Sequence, residues 1–161
     1  MEISLGIRTE ETVRIYFEKV KNPLIKAALP QKAQTVEEAI EDYRKTLLPG
    51  ADSFGRTIIA DGEYVGDVWC YCIDPEDEPN AMLSYCVFET SLWKRGIATE
   101  AVGLFLKEVF EKYELRSVGA FTFSDNGASI GVLEKNGFRL IEEFTEDGRK
   151  SKYFQYDKPS A

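Results

Sequence analysis

What most restricts the fold of this chain is a change of apolar period, from helical to alternating at Pro49-Gly50 and back to helical beyond Gly96. An all-helical bundle and an all-β sandwich are both excluded by that switch. Residues 2–7 read as a short first strand. Thr9-Glu10-Glu11 sets a cap-type residue and two acids at a helix start. Val13, Phe17, Val20 and Leu24 follow at helical spacing, and this helix is expected to end near Pro23 or Pro30. Thr35-Val36-Glu37-Glu38 has the T-x-x-E pattern of a capping box, which opens a second helix with Ala39, Ile40, Tyr43 and Leu47 on its apolar stripe.

Beyond Pro49-Gly50 the residues alternate. Strands are predicted over 56–60, 64–73 and 81–88, with Asp61-Gly62 as a hairpin turn and an acidic loop holding Pro75 and Pro79. Residues 97–113 form an amphipathic helix with Ala101, Leu104, Phe105, Val109 and Phe110 on its apolar side. A strand over 117–123 and a short helix over 126–136 follow, and Gly137 permits the helix to stop. Strands over 138–144 and 152–156 flank the Asp147-Gly148 turn. The order is a strand, two helices, a three-strand meander, then helix, strand, helix and two strands. It predicts a mixed α/β sheet with helices on both faces, in one domain over residues 1–161.

Composition removes several classes of function. No apolar run approaches ~18 residues, so no membrane helix is expected. Met1-Glu2-Ile3-Ser4 carries no secretory pattern, and Cys70, Cys72 and Cys86 make no disulfide framework, so a cytoplasmic setting is expected. There is no histidine, which excludes Ser-His-Asp triads and leaves no metal site to expect. The net charge of −8 argues against nucleic-acid and anionic-membrane partners. All of the excess lies in residues 51–92, where Arg56 stands alone against nine acids. Asp74, Glu76, Asp77 and Glu78 in that stretch are either a solvated turn or an electronegative wall that draws in a cationic ligand.

Two segments carry chemistry. Trp93-Lys94-Arg95-Gly96-Ile97-Ala98-Thr99-Glu100-Ala101 joins a strand to the amphipathic helix. A short turn of small residues there leaves backbone N–H groups unpaired at the positive end of the helix dipole, which suits an anion. Gly96 and Ala98 would let phosphate oxygens approach, and Lys94 and Arg95 add charge. Neither G-x-x-x-x-G-K-[ST] nor G-x-G-x-x-G is present. The second segment, Asn126-Gly127-Ala128-Ser129-Ile130-Gly131-Val132-Leu133-Glu134-Lys135-Asn136-Gly137-Phe138, follows a strand directly.

Together these residues resemble the GCN5-related N-acetyltransferase (GNAT) superfamily, and within it the RimJ/RimL type. The first segment is similar to W-x-x-G-x-A-T-E-A and the second to N-x-x-S-x-x-V-L-E-K-x-G-F of that branch. The likeness covers nearly the whole chain. It implies a mostly antiparallel sheet with a central splay, and acetyl-coenzyme A as cosubstrate.

The resemblance further implies that the backbone of Lys94, Arg95, Gly96, Ile97, Ala98 and Thr99 cradles the pyrophosphate. The pantetheine arm would pair with the strand end near Val87 and Phe88, admitted by the splay. Asn126 would bond the arm or tie the two strands, and Lys135 would reach the phosphates. Many members have a tyrosine where this chain has Leu133, and the branch suggests Ser129 as the group that stabilises the leaving thiolate. A backbone N–H at Val87 or Phe88 would hold the thioester carbonyl. Without histidine the general base is a carboxylate, with Glu89 the first candidate, or there is no protein base at all. Trp69, Tyr71, Tyr85 and Trp93 either line an acceptor pocket or belong to the core. A cysteine nucleophile would lack an activating base.

The resulting expectation is direct acetyl transfer to a primary amine of a cationic small molecule or a protein N-terminus, by a monomer or homodimer. The alternatives are an inactive acyl-coenzyme A-binding sensor and a partner-binding module that uses the acidic hairpin.

Overall fold

The computed structural model describes residues 1–29, 33–76 and 79–159. Three strands follow one another as a meander: β2 (Phe54–Ala60), β3 (Glu63–Asp74) and β4 (Asn80–Val87). Asp61 and Gly62, at φ 49° and 83°, make the two-residue turn between β2 and β3, with Ala60 opposite Glu63. Positive φ at both turn positions is the geometry that matches the twist of the flanking strands, and it is why Asp-Gly appears there. Asp147 and Gly148, at φ 50° and 76°, repeat the device between β6 (Arg139–Glu146) and β7 (Arg149–Asp157). With β1 (Ile3–Gly6) and β5 (Ser117–Phe123) these form one sheet, in the order β1-β2-β3-β4-β5-β7-β6.

Every neighbouring pair is antiparallel except β4 with β5. That parallel pair holds only over Asn80, Ala81 and Met82, opposite Ser117, Val118 and Gly119. From Leu83 to Val87 the two strands part, which opens the expected splay in mid-sheet.

Three helices, where two were expected, precede the meander: α1 (Glu10–Lys19), α2 (Pro23–Ala28) and α3 (Val36–Lys45). Pro23 does not end a helix but starts α2, where a missing N–H costs nothing, and Asn22 Oδ1 accepts from Leu24 N–H as its cap. Pro30 lies outside the described residues. Thr9 and Thr12 make a reciprocal cap for α1. On α3, Thr35 accepts from Glu38 N–H, while Glu38 reaches Gln34 N–H, one residue beyond the expected box partner. Leu47 lies past the end of α3 and is exposed, not part of an apolar stripe.

Helix α4 (Ile97–Lys112) buries Ile97, Ala101, Val102, Phe105, Leu106 and Val109 against one face of the sheet. Leu104, expected on that side, is exposed instead. Helix α5 (Gly127–Lys135) packs beside α4 and adds Leu133 to this main core. On the other face α1 and α2 cover a smaller core of Val20, Ile25, Cys86 and Phe88 with Tyr16, Leu29 and Tyr64. Gly66, opposite Val87, lets β3 close on the end of β4. A Cβ there would strike the Cys86 carbonyl and lie 2.9 Å from Val87 Cα. No helix among the described residues is long and apolar enough to cross a membrane.

Candidate active site

The site is built where β4 leaves β5. Phe88 N–H donates to Val65 O at 2.9 Å. Bonded pairs alternate along an antiparallel ladder, so the polar groups of Val87 turn away from β3 and toward the splay. Of the two N–H groups expected to face a ligand, that of Phe88 is therefore committed to β3 and that of Val87 is turned to the gap. The Val87 carbonyl accepts from Trp93 Nε1 at 2.7 Å, which pins the following loop to the strand end.

That loop runs through a 3₁₀ turn, Thr90–Leu92, into α4. Lys94 and Gly96 are left-handed, at φ 67° and 80°. No side chain caps α4, and Glu100 N–H to Gly96 O at 3.1 Å is its first backbone bond to the loop. The N–H groups of Ile97, Ala98 and Thr99 thus face outward at the positive end of the helix. A Cβ on Gly96 would meet nothing within 4 Å, so the space at this turn is open. Asn136 Nδ2 donates to Thr99 O at 3.0 Å and to Val132 O at 2.9 Å, fastening the end of α5 to the first turn of α4. The sequence pattern marked Asn136 only as a helix end.

Across the gap, Asn126 caps α5 by accepting from Ser129 N–H at 3.1 Å. With Oδ1 committed to this cap it makes no tie to β4 among the described residues, because an unpaired N–H at a helix start is the nearer demand. The Ser129 hydroxyl lies 2.7 Å from the Tyr85 hydroxyl, and Tyr85 is also 3.3 Å from the Ser129 carbonyl. Tyr85 comes from the part of β4 that is paired with β3 but not with β5, so this contact joins β4 to the first turn of α5 across the splay. Burial pushes the Tyr85 phenol up to about 12, with the Ser129 bond acting the other way. On β5 the buried Thr122 hydroxyl has no partner.

These groups line one cavity of about 960 Å³. Lys94, Gly96, Ile97, Ala98, Thr99, Asn126, Ser129 and Lys135 are on its wall, with Val87 at the splay. Arg95 is exposed and outside the lining. Tyr71, Tyr85 and Trp93 line the cavity, whereas Trp69 packs against Tyr16 and Arg8. Phe121, Phe123 and Phe144 form a further wall, where Arg149 lies over the Phe123 ring and donates to Ala27 O. Arg149 was not singled out by any sequence pattern.

Glu89 is not brought to this cavity; its carboxylate is 3.0 Å from Lys19 Nζ at the surface. Of the acidic turn, Asp74 and Glu76 lie at the Asn80 end of β4, seven residues from Val87, or ~23 Å of strand. Asp77 and Glu78 lie outside the described residues. Burial pushes the thiols of Cys70 and Cys86 up to about 12, so neither is a thiolate near neutrality.

A sheet parted between two strands, with an uncapped helix start at its mouth, offers a cavity with an anion-binding end. The chain belongs to the acetyltransferase (GNAT) domain family, which matches residues 6–139. It is an N-acetyltransferase domain, and acetyl-coenzyme A is the donor such a domain uses. No curated protein shows significant sequence similarity to it. Among solved structures it is similar to a complex of the aminoglycoside acetyltransferase AAC(6')-Ib with coenzyme A, at 18% identity over 98% of this chain and 95% of that one, with TM-score 0.81. It is also similar to Mycobacterium smegmatis RimJ with coenzyme A-disulfide, at 19% identity over 96% and 81% of the two chains, with TM-score 0.83. Spermidine N-acetyltransferase from Vibrio cholerae, with coenzyme A and spermine, matches at 15% identity over 96% and 95%, with TM-score 0.84. At these identities the likeness is one of fold.

The residues present fit the donor. Three outward N–H groups and the Lys94 and Lys135 ammonium groups suit phosphates, the Val87 N–H suits an acyl carbonyl oxygen in the gap, and the Thr122 hydroxyl is a buried polar atom with no partner among the described residues.

Proposed function

We propose that residues 1–161 act as one N-acetyltransferase domain that passes acetyl directly to a primary amine of a cationic small molecule or a protein N-terminus. The observation that carries this is the splay itself: β4 parts from β5 after Met82, and the opening faces the uncapped start of α4. When bound, acetyl-coenzyme A supplies an acetyl group whose transfer forms a C–N bond and leaves a thiolate.

This chain's residues have four tasks. The N–H groups of Ile97, Ala98 and Thr99, with Lys94 and Lys135, bind phosphates. The Val87 N–H is turned toward the thioester carbonyl. The Ser129 hydroxyl donates to the leaving sulfur. The apolar wall of Tyr71, Phe121, Phe123 and Phe144 on one side of the cavity favours the neutral form of the amine. Glu89, paired with Lys19 outside the cavity, is assigned no step, and the amine's proton passes to water.

The acceptor class draws support from the proteins of like fold, whose own names specify an aminoglycoside and spermidine as substrates. An acetyl-transfer screen over aminoglycosides, polyamines and peptides with free N-termini tests the proposal. Turnover with any of them is the expected result. Coenzyme binding without turnover on any amine would leave a sensor, and no binding at all would overturn the assignment of the donor.

A further inference from the structure

A helix serine has one proton and a ready use for it in the helix's own carbonyls. Ser129 makes no such bond among the described residues; the partner of its hydroxyl is Tyr85, at 2.7 Å. Its N–H is taken by Asn126 Oδ1, and its carbonyl is 3.3 Å from the same phenol. Tyr85 has a single proton to give. Were it given to the carbonyl, the Ser129 proton would be drawn back to the phenol oxygen and none would remain for the cavity. The contact to the hydroxyl is the shorter by 0.6 Å, and donation along it leaves the Ser129 proton free.

Burial pushes the phenol up to about 12, so it carries that proton throughout the neutral range. Leu133, one helical turn further on, is committed to the main core, so no second hydroxyl from α5 competes for this place. We propose that Tyr85 is the positioning residue for Ser129: its phenol donates to the Ser129 hydroxyl and so aims that hydroxyl's own proton into the cavity, at a sulfur anion. The inference rests on the role given to Ser129 above and adds the group that makes that role possible.

The test uses the full chain saturated with coenzyme A, whose free thiol is the probe. Its thiolate absorbance is followed against pH, with desulfo-coenzyme A as the blank. The bound thiol should titrate about one pH unit lower in the wild type than in Ser129→Ala, a tenfold change in its ionisation constant. Tyr85→Phe should show most of the Ser129→Ala shift, and the double variant should add nothing to it. A Tyr85→Phe titration that overlays the wild type would overturn the proposal, as would two shifts that simply add. Were Ser129→Ala itself to match the wild type, the proposal would fall because Ser129 would not face the sulfur.

If Tyr85→Phe does not fold, fluorotyrosine at position 85, a stronger donor of similar shape, should move the titration lower still, and no movement would overturn the proposal. Failure of the wild type to bind millimolar coenzyme A would show instead that the donor assignment is at fault, and the inference would fall with it.

Discussion

Ser129 and Asp67 are ordinary residues whose chemistry is set by neighbours far away in the chain. The Ser129 hydroxyl lies 2.7 Å from Tyr85; in the proposed role it donates to the leaving sulfur, and a hydrogen bond to a charged group contributes ~1.5–3 kcal/mol. Ser129→Ala should therefore lower kcat roughly tenfold to a hundredfold and barely change KM for the coenzyme. Steady-state kinetics with the best amine of the panel decide this, and an unchanged kcat would leave Ser129 a helix-start residue only. Asp67, on β3, is buried with Arg8 Nε 3.0 Å from one carboxylate oxygen and the Tyr64 hydroxyl donating to the other at 2.6 Å. Burial raises its carboxyl from 3.8 to about 6, against the pull of Arg8 and Tyr64 the other way. A folded-state value above the unfolded one means the native state holds the proton more tightly. Stability is then greatest below the unfolded value and falls as pH rises through the folded one. Relative to Asp67→Asn, the wild type should lose ~3 kcal/mol between about pH 4 and 7. Denaturant titrations of both proteins across that range check it, and a constant difference would mean the carboxyl is not held protonated.

At the scale of elements, the start of α4 is the proposed phosphate site and Gly96 shapes its backbone. At φ 80° with open space before it, a Val side chain would meet two penalties. The left-handed conformation costs ~1–2 kcal/mol for a residue with a Cβ, and the new atoms would stand where phosphate oxygens must approach the N–H groups. Acetyl-coenzyme A should raise the melting temperature of the wild type, because it binds only the folded state, and Gly96→Val should remove that rise. A rise of equal size in the variant would move the phosphate site elsewhere. The elements themselves were largely legible beforehand. The Asp-Gly turns, the caps at Thr9 and Thr35, and the span of β5 come from local chemistry that a short stretch of sequence contains. Misreadings arose where one residue has two local uses. Pro23 suits a helix start as well as a stop, and Leu104 fits an apolar spacing but lies beside the stripe of Ala101, Phe105 and Val109 that α4 buries.

For the molecule as a whole, the described acids of the acidic turn stand apart from the proposed site. Asp74 and Glu76 stand at the far end of β4 from Val87, beyond a Debye length of ~8 Å at physiological salt. Charge reversal of Glu76 to Lys should leave KM for a cationic amine within about twofold at that ionic strength. A several-fold rise in KM that salt abolishes would restore the acidic turn as a steering device. The splay has a different origin. Three paired residues hold β4 to β5, after which β4 stays with β3 through the close approach at Gly66 while β5 follows β7 along its full length.

The sequence by itself determined the class of fold, the two helix starts that meet at the cavity, and the family to which their residues are similar, because caps, turns and periodicity act over a few residues. It could not show that Tyr85 bonds Ser129, 44 positions away, that Asn136 holds Thr99, 37 away, or that Glu89 is spent on Lys19, 70 away. Those contacts depend on strand order, on register and on where two strands part. They exist only once the whole sheet has closed, so tertiary structure alone decided which hydroxyls and N–H groups face the gap and which candidate residues stand apart from it.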